Sequence, residues 1–186
     1  FASLDINARM QEGPMGEKLW NDCLTVSTNA RKEILAKCKY IKPFLPEKVN
    51  GKKWSDAPTE EIISNLDYWK FNPEESWHGF NGYGKDQYFV DPNKFLLTTP
   101  GINPEDDSYM DFGIPAVILA NYLRENGIIP EKNDLNSILF LMTPASDEAK
   151  MNNLIAKLIK FESLIDQDAP LDKVLPRLYH QNFERY

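Results

Sequence analysis

The side chains that most often carry chemistry are scarce in this sequence: two cysteines, Cys23 and Cys38, and two histidines, His78 and His180, in 186 residues. Structural zinc needs Cys or His in pairs at short spacing, so that one turn supplies two corners of a tetrahedron. These four residues are scattered, and no metal site is expected. Nucleophilic hydrolysis calls for a Ser or Cys beside a histidine base, commonly on a G-x-S-x-G elbow, and no such elbow occurs. A phosphate cradle calls for G-x-x-x-x-G-K or G-x-G-x-x-G after a strand. Both are absent, and Gly79, Gly82 and Gly84 have neither the lysine nor the strand-to-helix context. In the acidic stretch 103–117 a calcium loop would need Gly at position 6 and Glu at position 12, which no register supplies. That stretch reads as a solvated polar loop, and residue types alone give no complete catalytic constellation.

The elements that would position a site follow from periodicity. Over 16–40 the apolar residues Leu19, Cys23, Val26, Ala30, Ile34 and Cys38 recur at three and four with charges between them, which predicts a long amphipathic helix ended by Pro43 and Pro46. Residues 2–10 predict a shorter helix, set off by Gly13-Pro14. On one helix Cys23 and Cys38 stand about 22 Å apart, too far for a disulfide. With no N-x-Ser/Thr acceptor in the chain either, a reducing, cytoplasmic setting is expected.

Residues 47–87 combine turn formers with Trp54, Trp69, Trp77, Phe71, Phe80 and Tyr83, the composition of a segment that wraps over another surface and anchors by its rings. One helical island is predicted at 59–68, with Thr59 as cap. A strand at Phe95-Leu96-Leu97-Thr98 ends in Thr99-Pro100-Gly101, and a helix runs from Pro115 to Gly127. Strands at 128–131 and 137–142 then flank a polar reversal, and Ser146 opens a helix carrying Met151, Leu154, Ile155, Leu158, Phe161 and Ile165. The order β-α-β-β-α predicts a small α+β layer structure, with the stripes at 19–38 and 151–165 as core or subunit contact. A final helix over 172–179 is expected to form despite Pro176.

Composition bounds the partners. Forty-two per cent apolar residues with ten Phe, eight Tyr and four Trp exclude global disorder, and a net charge of −7 argues against nucleic acid and anionic lipid. The mean hydropathy of −0.49 and the lack of an apolar run near 18 residues exclude a membrane helix. The start Phe1-Ala2-Ser3 lacks a basic leader and an initiator Met, so a longer parent chain is expected.

One long string is specific. Asp111-Phe112-Gly113-Ile114-Pro115-Ala116, followed by Ala120-Asn121-Tyr122-Leu123-Arg124-Glu125-Asn126-Gly127-Ile128-Ile129-Pro130-Glu131-Lys132-Asn133-Asp134-Leu135-Asn136, resembles the bacterial ornithine/lysine/arginine decarboxylases. Leu97-Thr98-Thr99-Pro100-Gly101, Trp77-His78-Gly79-Phe80 and Ala169-Pro170-Leu171 are similar to the same family at the same spacings. The stretch Asn133-Asp134-Leu135-Asn136 is more similar to the ornithine enzymes than to the lysine ones.

The resemblance implies part of a pyridoxal-phosphate enzyme of the aspartate aminotransferase fold, converting ornithine to putrescine in polyamine biosynthesis. This chain would be a later part of it: a connecting helix and linker (1–70), the small α+β domain (71–166) and the start of a C-terminal domain (167–186). The family's Schiff-base lysine sits in a Ser-x-His-Lys motif, and His78 is followed by Gly79 and His180 by Gln181. No catalytic residue is therefore expected here, and the cofactor would be held by a domain outside this sequence. Its share would be substrate recognition. Glu131 in the Pro-Glu-Lys motif is the candidate for pairing with the distal ammonium of a basic amino acid, and Thr98 and Gly101 are weaker candidates for contact from the strand end. Trp77 with His78 reads as an aromatic anchor with a hydrogen-bonded ring, and Lys132 as a solvated neighbour of Glu131. Two further readings are an assembly role, since the family forms homo-oligomers, and a stand-alone binding module.

Overall fold

The computed structural model describes residues 1–182. Helices α1 (Ala2–Met10) and α2 (Gly13–Lys37) are separated at Gln11 and Glu12, with Pro14 in the first turn of α2. The long helix stops at Lys37 rather than running to Tyr40, and the reason lies far away in sequence. The Glu162 carboxylate accepts from the N–H groups of Lys39, Tyr40 and Ile41 (2.7, 2.8 and 2.7 Å) and so claims donors that a longer helix would turn inward. Cys38 is accordingly extended, and β1 (Lys42–Pro43) follows.

A hairpin of β2 (Lys48–Val49) and β3 (Lys52–Lys53) turns at Asn50 and Gly51, both at positive φ (51° and 80°) as a tight two-residue turn requires. The predicted island at 59–68 divides into α3 (Thr59–Ser64) and a 3₁₀ turn at Leu66–Trp69. Thr59 does not cap α3; Pro58 precedes the helix, and the Thr59 hydroxyl instead donates to Asn29 Oδ1 (2.7 Å), fastening α3 to α2. The strap does anchor by its rings. Trp54 and Trp69 meet edge to face at 5.7 Å, and their indole N–H groups donate to Tyr68 O and Ile62 O, so two large buried side chains leave no polar atom unpaired.

Strand β4 (Lys94–Thr98) and helix α4 (Ala116–Glu125) form as expected, and Gly127 at φ 78° ends the helix. The strand expected at 128–131 does not form: Ile128 N–H closes the helix end on Leu123 O, Pro130 has no N–H to give, and β5 is displaced to Lys132–Asn133. It leads to β6 (Ser137–Leu141) and then α5 (Glu148–Asp166), whose cap is Asp147, accepting from Lys150 N–H (2.8 Å). Ser146 accepts from Thr143 N–H instead. Pro176 breaks the expected last helix into α6 (Leu171–Val174) and α7 (Pro176–Gln181); Glu125 accepts from the N–H groups of Arg177 and Leu178 at the start of α7. Residues 183–186, the end of the third expected unit, lie outside the described residues.

The sheet is antiparallel throughout, in the order β1-β4-β6-β5. Alternate residues Phe95, Leu97 and Ile138 are fully buried in one core with Ile34 of α2, Leu119 and Leu123 of α4, and Leu158 and Phe161 of α5. Helices on one face of an antiparallel sheet give the mixed α+β arrangement expected from the order of elements. The opposite face carries Leu96, Thr98, Ser137 and Leu139 and is only partly covered by Phe44, Phe71 and Phe89.

Candidate functional site

That half-covered face holds two adjoining cavities. The larger, about 520 Å³, has Leu96, Leu139, Phe71 and Phe89 as apolar wall and Glu131, Lys132, Lys94 and Asp134 around it. The second, about 330 Å³, is bounded by Thr98, Pro100, Asn136, Tyr40 and Trp77. Phe44 lines both, so its ring stands between them, packed at 5.0 Å from Trp77 and 5.9 Å from Phe71.

The structure places Glu131 at the larger cavity and Thr98 at the second, while Gly101 lines neither. Glu131 lies just before β5, where its N–H makes the first rung to Leu139 O (2.9 Å). Its side chain is exposed and, among the described residues, is in no salt bridge. Thr98 lines the second cavity, and its hydroxyl donates to Lys42 O (3.2 Å) across the β1–β4 pair. Both polar backbone groups of Gly101 are engaged by Met110: the N–H donates to the sulfur and the carbonyl accepts from the Met110 N–H.

Trp77 and His78 behave as an anchor. The Phe80 N–H donates to His78 Nδ1 (3.0 Å), which leaves the ring proton on Nε2, facing Asn72 O (3.0 Å) and Tyr83 Oη (2.9 Å). A ring so fully used is positioned for structure rather than proton transfer. Lys132 is exposed beside Glu131, as expected.

Two residues at this face went unsingled in the sequence. Phe44 sits among prolines and shows no periodicity, so only the packing reveals that it divides the cavities. Asn136 looks like ordinary turn material, yet its side-chain amide joins three segments of chain. Arg31, read as one of the charges of α2, is instead 1% exposed. Its guanidinium donates to Pro92 O (3.0 Å), Lys94 O (3.2 Å) and Ser27, and lies over the rings of Phe95 and Trp69. Burial pushes it down to about 9, so it keeps its charge at neutral pH. Cys38 is pushed up to about 12, by burial first and then by the Glu162 charge, which makes it an inert thiol.

Pyridoxal phosphate does not fit any set among the described residues. The buried cation is spent on carbonyls, the buried histidine on its own loop, the lysines of the larger cavity, Lys94 and Lys132, are solvent-exposed, and Lys42 of the second cavity donates to Cys38 O.

Comparison with known proteins places this geometry in a class. The family model described as "Orn/Lys/Arg decarboxylase, major domain" matches residues 1–150, and the chain belongs to that family. Within it, the chain is 59% identical over its whole length to an inducible ornithine decarboxylase of Lactobacillus sp. strain 30a and 56% identical to an ornithine decarboxylase of Haemophilus influenzae. It spans 25% and 26% of those proteins, about a quarter of their length. Among solved structures it matches the constitutive lysine decarboxylase of E. coli with a TM-score of 0.81 at 28% identity, over all of this chain and 25% of that one.

Proposed function

We propose that this chain is part of an ornithine decarboxylase, releasing carbon dioxide from ornithine to give putrescine in polyamine biosynthesis, and that it supplies substrate-side and subunit contacts while having no catalysis of its own. One observation carries the choice of substrate: over the same residues the identity is 59% to an ornithine decarboxylase and 28% to a solved lysine decarboxylase of nearly the same fold. A common backbone with divergent side chains is what a change of substrate length demands, because one methylene is worth about 1–3 kcal/mol in a pocket.

In this reading the chain comprises the connecting helix and linker (1–70), the small domain of an aspartate aminotransferase-like fold (71–166) and the opening of a C-terminal domain (167–186). The division is one of roles rather than cores, since Cys23, Ala30 and Ile34 of α2 share a core with the sheet. Pyridoxal phosphate supplies the electron sink when bound, held by residues beyond this sequence. Glu131, exposed at the rim of the larger cavity and in no salt bridge among the described residues, receives the distal ammonium; Thr98, in the neighbouring cavity, and Gly101, in the turn that follows it, flank the approach. An assembly role is compatible with this and has its own support, because α1 and the first turn of α2 expose Leu4, Ile6, Met10 and Met15. A homo-oligomer in a cytoplasmic setting, where Cys23 and Cys38 stay reduced, completes the picture.

The test uses the full-length protein. Decarboxylation of ornithine, lysine and arginine is measured side by side, with ornithine expected to exceed lysine in kcat/KM by about tenfold or more. Equal or higher efficiency on lysine would overturn the substrate assignment.

A further inference from the structure

We infer that Asn136 is a positioning residue that holds the Thr98–Gly101 turn and the β5–β6 hairpin in a single register on the open face of the sheet; the inference rests on the reading of Glu131, Thr98 and Gly101 as the substrate side. Its main chain already pairs with the turn, since Thr99 N–H donates to Asn136 O (2.9 Å). The side-chain amide then donates to Pro100 O (2.8 Å) and reaches Thr99 Oγ1 (3.3 Å) and Ile114 O (3.4 Å). Pro100 O and Ile114 O can only accept, so the NH₂ of the amide faces them and the orientation of Asn136 is set by its neighbours. Thr99 Oγ1 donates in turn to Ile114 O (2.6 Å), and Ile114 N–H donates to Pro100 O (2.8 Å). One side chain therefore joins the end of β4, the entry to α4 and the hairpin that begins at Glu131.

Gly101 supports the same conclusion from the opposite side. At φ 149° it packs so closely on Asn136 that a Cβ would stand 2.5 Å from Nδ2. Thr98 and Glu131 lie in adjoining cavities, on chain joined through the β4–β6 ladder: Thr98 pairs with Ser137, and Glu131 N–H donates to Leu139 O. Their separation is thus set by backbone, and Asn136 is the side chain that ties those two pieces of backbone together.

The experiment compares Asn136→Ala and Asn136→Asp with the unaltered full-length protein. Asp keeps the shape but turns a carboxylate toward two carbonyls, so it should act at least as strongly as Ala. Two quantities are read: hydrogen exchange of the Thr99 and Ile114 amides, with the Glu162-bound amides of 39–41 as internal reference, and KM against kcat for ornithine. Exchange at 99 and 114 is expected to rise about tenfold or more with the reference unchanged, and KM to rise about five- to tenfold with kcat within about twofold. Unchanged exchange would overturn the latch itself. Faster exchange with an unchanged KM would overturn the positioning role alone if Glu131→Gln still raises KM. If Glu131→Gln leaves KM unchanged as well, it is the reading of the substrate side that falls.

Discussion

The two faces of the four-stranded sheet are made by alternate residues of the same strands and have opposite character. Phe95, Leu97 and Ile138 point into a sealed core against three helices, each fully buried. Leu96, Thr98, Ser137 and Leu139 point the other way, into cavities partly covered by Phe44, Phe71, Phe89 and Trp77. One face is closed by regular elements whose apolar stripes fit it, and the other by irregular chain that fills it incompletely. Sealed packing and open cavities are thereby separated within one sheet, a division that a period-two pattern makes possible.

The largest effect that would break this comparison is expected at Phe95. Phe95→Ala should cost about 3–5 kcal/mol of local stability, against less than about 1.5 kcal/mol for Leu96→Ala one residue along, both read by native-state hydrogen exchange of β4 and β6. Equal losses would mean that the two faces are packed alike. Next comes Glu162→Gln, which keeps one acceptor but sets an NH₂ group among three N–H donors; a loss of about 1–3 kcal/mol is expected, with exchange at 39–41 accelerated first. A smaller change would show that the end of α2 does not depend on that carboxylate.

On the open face the expectation reverses. Glu131→Gln should leave the unfolding midpoint where it is and raise KM for ornithine about tenfold, whereas a shifted midpoint with unchanged kinetics would assign Glu131 to structure. The smallest effect sharpens the contrast by pH. The Tyr40 hydroxyl first, and then Lys39, hold Asp166 below the ordinary carboxyl range. Its stabilisation is therefore complete above that range and is lost as pH falls through the lowered value. Asp166→Asn should lower stability at neutral pH and leave it nearly unchanged below that lowered value, so that the acid limb of the profile becomes shallower; an unchanged acid limb would remove Asp166 from the account.

Much of the fold was legible because it depends on local patterning. The helices at 2–10 and 116–125 and the strands at 94–98 and 137–141 follow from spacing and turn residues close to their observed bounds. The misses share a cause. Thr59 and Ser146 have the right chemistry for caps but spend their hydroxyls elsewhere, and the strand expected at 128–131 yields to the helix exit at Gly127. Each was decided by which neighbour a polar group met first, which periodicity does not encode.

By itself the sequence determined the family, through a long string of matching residues, and the alternation that gives the sheet two unlike faces. Only the tertiary structure decided that Glu162 ends a helix more than a hundred residues away, that Arg31 is buried among carbonyls and rings, and that the Asn136 amide ties Pro100 to the hairpin of Glu131. The physical reason is the same in all three. A polar side chain is taken out of water at low cost where distant backbone supplies its hydrogen-bond partners, and that meeting is settled when the layers pack.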